Sequence, residues 1–353
     1  MSKSQNHLFS LPGRDLDHIL SQAAADLEAL RGRKLFVTGG TGFFGKWLLA
    51  GLQHANAELG LGLRVTVLSR DPAAFLRRHP EVADITSLNF IAGHLDNSDL
   101  SLPAQPLDYI LHAGTDTSAV TTETEERKRS QAILWGTRHM IDLLHRSGAK
   151  RLLNVSSGAV YGAAAGERGG ASENCIRPGS SPAMIPYGEA KLEAERLCEG
   201  AGLDFVTARC FAFLGPYLPL DAHFAAGNFL RDALRGGPIL VRGDGTALRS
   251  YLHPADLVVW LLRILVRGQR ARAYNVGSDE AVTTAQLAHL IAGAVQPAAE
   301  VVIQSAQPQG PQNIYLPNIA RARSELNLDV AIPLAGAVTR TLAFLRSGKR
   351  TTA

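Results

Sequence analysis

The chain has 353 residues, 46% apolar and 19% charged, with a net charge of +4. This composition fits a folded globular protein with a sizeable core and excludes a disordered or fibrous one. The basic residues form no concentrated stripe, which argues against nucleic-acid binding, and the longest apolar run, Leu257 to Val266, is broken by Arg263 and too short to span a bilayer.

Asp15 to Leu30 reads as an amphipathic helix with Leu16, Ile19, Leu20, Ala23, Leu27 and Leu30 on one side. That face packs on its own domain or, alternatively, on another subunit. The apolar run Leu35-Phe36-Val37 follows, then Thr38-Gly39-Gly40-Thr41-Gly42-Phe43-Phe44-Gly45, then a helical pattern from Lys46 to Leu52. Strand, glycine turn and helix in this order suit a dinucleotide. Gly39, Gly42 and Gly45 permit a tight turn, close approach of a pyrophosphate and packing of helix on strand. The same stretch holds most of a P-loop, Gly40 to Gly45-Lys46. A P-loop needs Ser or Thr next to hold magnesium, and Trp47 stands there, so the triphosphatase reading yields to the dinucleotide one.

Beyond the second apolar run, 64–68, stands Ser69-Arg70-Asp71. NAD enzymes place an acid near Ser69 to bond the adenosine ribose, whereas an arginine suits a 2′-phosphate. NADP is therefore favoured over NAD, with Asp71 still in reach of the ribose. Further runs at 89–92, 109–113, 151–155, 205–209 and 273–276 alternate with helical segments that include 124–146 and 187–200. Continuous apolar strands separated by helices predict an α/β fold, a doubly wound, mostly parallel Rossmann-type sheet. Segments 162–186, 215–227 and 304–317 read as loops around a cleft. Cys175, Cys198 and Cys210 are odd in number and lack metal-ligand spacing, and charges interrupt the N-terminus where a signal peptide is apolar. A reduced, cytoplasmic protein without a metal site is expected.

Tyr187-Gly188-Glu189-Ala190-Lys191 places a phenol and an ammonium four residues apart, on one face of a helix. A cation near the phenol favours its phenolate, which makes Tyr187 a usable acid/base. Ser157, in Val155-Ser156-Ser157-Gly158-Ala159-Val160-Tyr161-Gly162, closes a predicted strand. Ligands bind at the carboxyl ends of such strands, so Ser157 is expected in the same crevice.

Together these motifs resemble the extended short-chain dehydrogenase/reductase family, in its nucleotide-sugar epimerase and dehydratase branch. The resemblance runs from about Leu35 to about Leu328. It also rests on Arg209 through Gly215-Pro216, on Gly243-Asp244-Gly245-Thr246, and on Arg249-Ser250-Tyr251-Leu252-His253 with Asp256. It implies that Tyr187 exchanges a proton with a sugar hydroxyl as hydride passes to nicotinamide, that Lys191 holds the nicotinamide ribose and tunes Tyr187, and that Ser157 hydrogen-bonds the reacting oxygen. It further implies cofactor contacts at Thr41, Phe43, Phe44, Leu95, Ala113 and Gly114. Substrate contacts are implied at Thr117, Asn228 and Arg249, the last two on the diphosphate. The implied partners are a nucleotide-diphosphate sugar and a second copy of the chain, paired through 124–146 and 187–200.

The expected organisation is an N-terminal helical extension, 1–33, a dinucleotide-binding domain, 34–214 with about 256–280, and a smaller α/β substrate lobe, about 215–255 and 281–345. A tail, 346–353, follows. Dehydratases of the family carry an acidic pair directly after the catalytic Ser or Thr, and decarboxylases keep a glutamate at the position of Ala159. Gly158 and Ala159 fill those places, which disfavours both reactions and leaves epimerisation at C4 or reduction of a 4-keto sugar. Glu173 and Glu189 are the nearest substitute acids and are expected to be solvated. His94 replaces an aspartate near the adenine, Pro308 to Asn313 lacks a second diphosphate arginine, and His112 is expected to pack at a strand end.

Overall fold

The computed structural model describes residues 8–102, 105–116, 120–166, 169–176, 185–222, 224–305 and 313–348. Its central sheet contains β1 (Lys34–Thr38), β2 (Arg64–Ser69), β3 (Leu88–Ala92), β4 (Tyr109–His112), β5 (Arg151–Ser157), β6 (Phe205–Cys210) and β9 (Arg272–Val276). The order is β3-β2-β1-β4-β5-β6-β9, and each pairing is parallel. Strand order reverses beside β1, between β2 and β4, which opens a crevice at the carboxyl edge of the sheet. Every residue of β6 is buried, as a strand covered on both faces requires. The smaller lobe adds β7 (Ile239–Val241), β8 (Leu248–Arg249), β10 (Val282–Thr283), β11 (Val301–Ile303) and β12 (Ile314–Tyr315). These form one sheet of order β10-β8-β12 and a parallel pair, β11-β7.

The helices that matter for the site are α1 (Gly13–Gln22), α2 (Ala24–Glu28), α3 (Phe43–Leu59), α4 (Pro72–Arg78), α5 (Glu123–Ser147), α6 (Pro186–Gly200), α7 (Ala225–Leu234) and α8 (Pro254–Arg267). The helix expected at 15–30 is divided at Ala23, whose φ of −106° and ψ of 14° interrupt the helical path. Its apolar face is nonetheless continuous: Leu16, Ile19, Ala23, Leu27 and Leu30 are all within 1% of complete burial. They pack with α3 and α8, and His18 Nε2 lies 2.7 Å from Asp256 Oδ1 while Arg263 Nε donates to Asp26 Oδ2 at 2.9 Å. The extension therefore closes the core of its own domain. Trp47, which ruled out the P-loop, is fully buried and its Nε1–H donates to Pro216 O at 2.8 Å, tying α3 to the loop after β6.

One buried polar network fixes α6. Arg209 on β6 donates to both oxygens of Glu195 on α6, with its closest contact at 2.7 Å, and to the Tyr161 hydroxyl at 3.0 Å. Tyr161 donates to Asn275 Oδ1 at 2.6 Å, and the Asn275 amide donates to Glu173 Oε1 at 2.8 Å. Glu173, expected to be solvated, is thus buried among these groups because its carboxylate serves β9 and faces Arg321 at 3.8 Å. Removing one charge of such a pair leaves the other desolvated without compensation. Glu195→Gln is therefore expected to destabilise the fold by about 3 kcal/mol, read as a lower denaturant midpoint at unchanged slope.

Candidate functional site

A cleft of about 2330 Å³ lies along the carboxyl edge of the sheet, lined by residues of both the sheet and the smaller lobe. One small-ligand site occupies roughly 300–1,000 Å³, so the space suits two ligands of nucleotide size. At one end is the glycine turn. Gly39 has a φ of 75°, and a Cβ there would sit 2.5 Å from Ala113 O; a Cβ on Gly45 would sit 2.3 Å from Gly39 O. No side chain caps the N-terminus of α3, so its first amides are left for an anion. The residues present fit a dinucleotide pyrophosphate.

Thr41, Gly42, Phe43 and Phe44 line the cleft at this turn, with Ser69 ending β2 and Arg70 next to it, Leu95 after β3, and Ala113 and Gly114 after β4. Gly45 lies beneath the turn, where its missing side chain lets α3 start against the backbone of Gly39 and Gly40. Arg70 is 72% exposed and its Nη1 is 3.5 Å from Asp116 Oδ2. Asp71, considered for the ribose, uses Oδ1 to cap α4 by accepting the Ala74 amide at 2.8 Å. His94 is exposed, 4.0 Å from Asp96. His112 is buried, its Nδ1 2.7 Å from Thr38 Oγ1, and burial pushes its pKa down to about 3. A neutral imidazole that pins the ends of β1 and β4 together is a packing residue.

Ser157, Tyr187 and Lys191 all line the same cleft. Tyr187, Lys191 and Glu195 recur every four residues along one stripe of α6, so the Arg209 network sets the angle at which the phenol enters the cleft. Lys191 is buried, and its Nζ donates to Thr115 Oγ1 at 2.7 Å and to Val155 O at 2.9 Å. Burial pushes its pKa down to about 8. Burial also raises the Tyr187 pKa, opposed by a hydrogen bond with Ser157 and by the charge of Arg129. The Arg129 guanidinium carbon stands 5.0 Å from the centroid of the Tyr187 ring and its side chain pairs with Glu126. Spacing nominated Lys191 as the cation acting on Tyr187; the structure adds Arg129 from α5. The Glu126–Arg129 spacing is visible in the sequence, but which face of α5 meets α6 is not.

The other substrate-side positions fare differently. Arg249, on β8, lines the cleft, and its Nη1 donates to Leu248 O at 2.8 Å and Asn313 O at 3.0 Å. Opposite it on β12 is Tyr315, a lining residue the sequence did not single out. Asn228 does not line the cleft. It lies on α7 with Oδ1 accepting from Arg231 at 3.0 Å, because Arg231 is held at that face by Asp221 and Asp232. Thr117 lies outside the described residues, as do 308–312 of the segment searched for a second arginine. Glu189 is exposed at the cleft wall, as expected. Among the described residues no cluster of His, Cys, Asp or Glu is arranged to hold a metal ion, and no helix is long and apolar enough to cross a membrane.

Residues 35–277 match the NAD dependent epimerase/dehydratase family. The chain belongs to that family. The family read from the motifs is thereby borne out. Among curated relatives, a UDP-glucuronic acid decarboxylase 1 from Arabidopsis thaliana is 28% identical, the match covering 89% of this chain and 70% of that one. A dTDP-glucose 4,6-dehydratase from Streptomyces niveus is 23% identical over 90% of this chain and 94% of its own. The fold is shared with the epimerase Mth375 from Methanothermobacter thermautotrophicus, with a TM-score of 0.79 at 21% identity, covering 93% of this chain and 96% of that one. It is shared also with a UDP-glucose 4-epimerase from Thermotoga maritima, with a TM-score of 0.72 at 20% identity, covering 90% and 100%.

The Lys191 environment has a measurable consequence. An unfolded lysine titrates near 10.5, whereas Lys191 titrates at about 8 in the fold. Between those values the folded chain binds fewer protons than the unfolded one, so stability rises with pH across that window. Lys191→Met is expected to flatten part of the rise, seen by comparing urea midpoints of the two ligand-free proteins from about pH 8 to about pH 10.

Proposed function

We propose that this chain is an NAD(P)-dependent nucleotide-sugar epimerase that works through a transient 4-keto sugar. The observation that carries the reading is the convergence of Ser157, Tyr187 and Lys191 on one cleft with the glycine turn, while Gly158 and Ala159 put no acid beside them. Relatives named as decarboxylases and dehydratases lie at 28% and 23% identity, and both of those reactions need acid or base groups beyond a hydride exchange.

When bound, the nicotinamide supplies a hydride acceptor and donor. Tyr187 takes the proton of the sugar C4 hydroxyl and returns it after the keto sugar has turned its other face. Ser157 hydrogen-bonds the C4 oxygen and keeps it beside Tyr187. Arg129 places positive charge over the face of the Tyr187 ring, which favours the phenolate that accepts the proton, and Lys191 one turn along α6 is the second cation assigned to this role. Lys191, anchored on Thr115 and Val155, is also placed to hold the nicotinamide ribose. Arg249 supplies a planar cation for a diphosphate. Ser69 and Arg70, with no acid at the end of β2, support NADP over NAD.

A 4-keto sugar reductase is the second reading, favoured by the same Arg70, since such an enzyme exchanges NADPH at every turnover. Denaturing the purified protein separates the two. An epimerase is expected to release close to one dinucleotide per chain and to interconvert a nucleotide sugar with no net change in absorbance of the nicotinamide. Loosely held cofactor, with NADPH consumed on a 4-keto nucleotide sugar, sinks the epimerase. Tyr187→Phe is expected to lower turnover by about 10²–10⁴-fold while dinucleotide binding persists; full activity in this variant removes Tyr187 from the chemistry.

A further inference from the structure

Phe9, in the N-terminal extension, lies outside the residues that match the family and is 1% exposed. Its ring meets Phe75 at 6.0 Å between centroids, His79 edge-on at 5.0 Å and Tyr217 edge-on at 6.3 Å. All three of those rings line the cleft, and Phe9 does not. Phe9 therefore stands behind the cleft wall, where the end of α4 meets the segment that follows β6. That segment takes a long course. β4 and β5 separate β6 from β1, yet residues 213–217 lie against the first turns of α3. Phe213 packs edge-on against Phe44 at 4.8 Å, Pro216 O accepts from Trp47, and the Tyr217 ring lies 4.5 Å from Lys46 Nζ. Tyr217, Leu218 and Pro219 line the cleft together with Phe43 and Phe44 of the glycine turn.

Tyr217 keeps this course in a conformation that a bulky side chain resists. Its φ is 71°, in the left-handed region where Cβ crowds the following carbonyl. Such a residue persists only where its surroundings fix it, and such residues gather where ligands are held. Here the Tyr217 hydroxyl donates to Phe9 O at 2.8 Å. The ring also packs on Phe344, 5.3 Å between centroids, from the helix Leu334–Arg346 of the smaller lobe. The accepting side is bent in the same way, with φ of 56° at Phe9 and 50° at Ser10. Among the described residues five non-glycine positions have positive φ, and three of them border this one hydrogen bond.

We propose that Phe9 is a positioning residue: it pins Tyr217, and with it the 213–219 segment, at the dinucleotide end of the cleft and so slows release of the dinucleotide. This role rests on a dinucleotide bound at the glycine turn. The pin is anchored in both lobes. Just beyond Phe9, Asp15 of α1 pairs with Arg340 on the helix that carries Phe344, and His18 pairs with Asp256 on α8. Without the pin, Tyr217 returns to a negative φ, which redirects Leu218 and Pro219 away from α3.

No sugar is needed to test it. NADH or NADPH is bound to the full chain, and its release is followed by nicotinamide fluorescence after mixing with excess oxidised dinucleotide. Tyr217→Phe keeps the ring and loses the bond to Phe9, and is expected to release the dinucleotide about 5-fold faster, with Phe9→Ala about 10-fold faster. An unmoved release rate in Tyr217→Phe overturns the proposal, even where the urea midpoint falls, because the contact is then structural only. Faster release in Tyr217→Phe with an unmoved rate in Phe9→Ala overturns it too, because the hydroxyl then acts on the ligand directly. Should Phe9→Ala fail to fold, Tyr217→Phe decides alone. A wild-type chain that binds neither NADH nor NADPH overturns the cofactor reading and the pin together, whereas bound dinucleotide with unmoved release in the variants overturns the pin alone. Faster release in variants of a protein that converts no nucleotide sugar supports the pin and counts against the proposed reaction.

Discussion

A guanidinium buried beneath the cleft, Arg209, decides where α6 lies. Its pairing with Glu195 is close, desolvated and extended through Tyr161 and Asn275 to Glu173, so β6, α6, β9 and the 171–175 segment share one set of hydrogen bonds. Buried ion pairs of this kind contribute less to stability than to definition, because any other arrangement strands a charge in the core. Here the definition is inherited by chemistry. Glu195, Lys191 and Tyr187 lie on one stripe of α6, and fixing the first aims the other two.

The dinucleotide end of the cleft is constrained in a complementary way, by the absence of side chains. Gly39 and Gly45 leave no space for a Cβ, so the turn after β1 closes against the end of β4 on one side and the start of α3 on the other. Trp47 and the N-terminal helices hold α3 from the far side. The residue that breaks the P-loop pattern is therefore a core residue. The same side chain that removes a magnesium ligand supplies packing for the strand–helix unit.

Much of this was legible before any coordinates. Short apolar runs alternating with helical segments located the seven central strands, because the inner strands of a covered parallel sheet are apolar on both faces and helices must join them. Glycine spacing located the turn, and the four-residue step of a helix put Tyr187 and Lys191 on one face. Two side-chain environments were not legible. Glu173 was expected to be solvated, while its neighbours in the fold, Asn275 and Arg321, come from 100 or more positions away. Asn228 was carried over by resemblance, but its side chain answers to Arg231 within its own helix.

The sequence by itself determined the class of sheet, the glycine turn after β1 and the choice of Ser157, Tyr187 and Lys191 as candidate site residues, since each depends on local spacing or on runs of one polarity. Only the tertiary structure decided which groups act on Tyr187. Arg129 reaches it from a helix 58 positions earlier in the chain. The electrostatics of a buried phenol depend on what is brought within a few ångströms of it, and no local pattern records that.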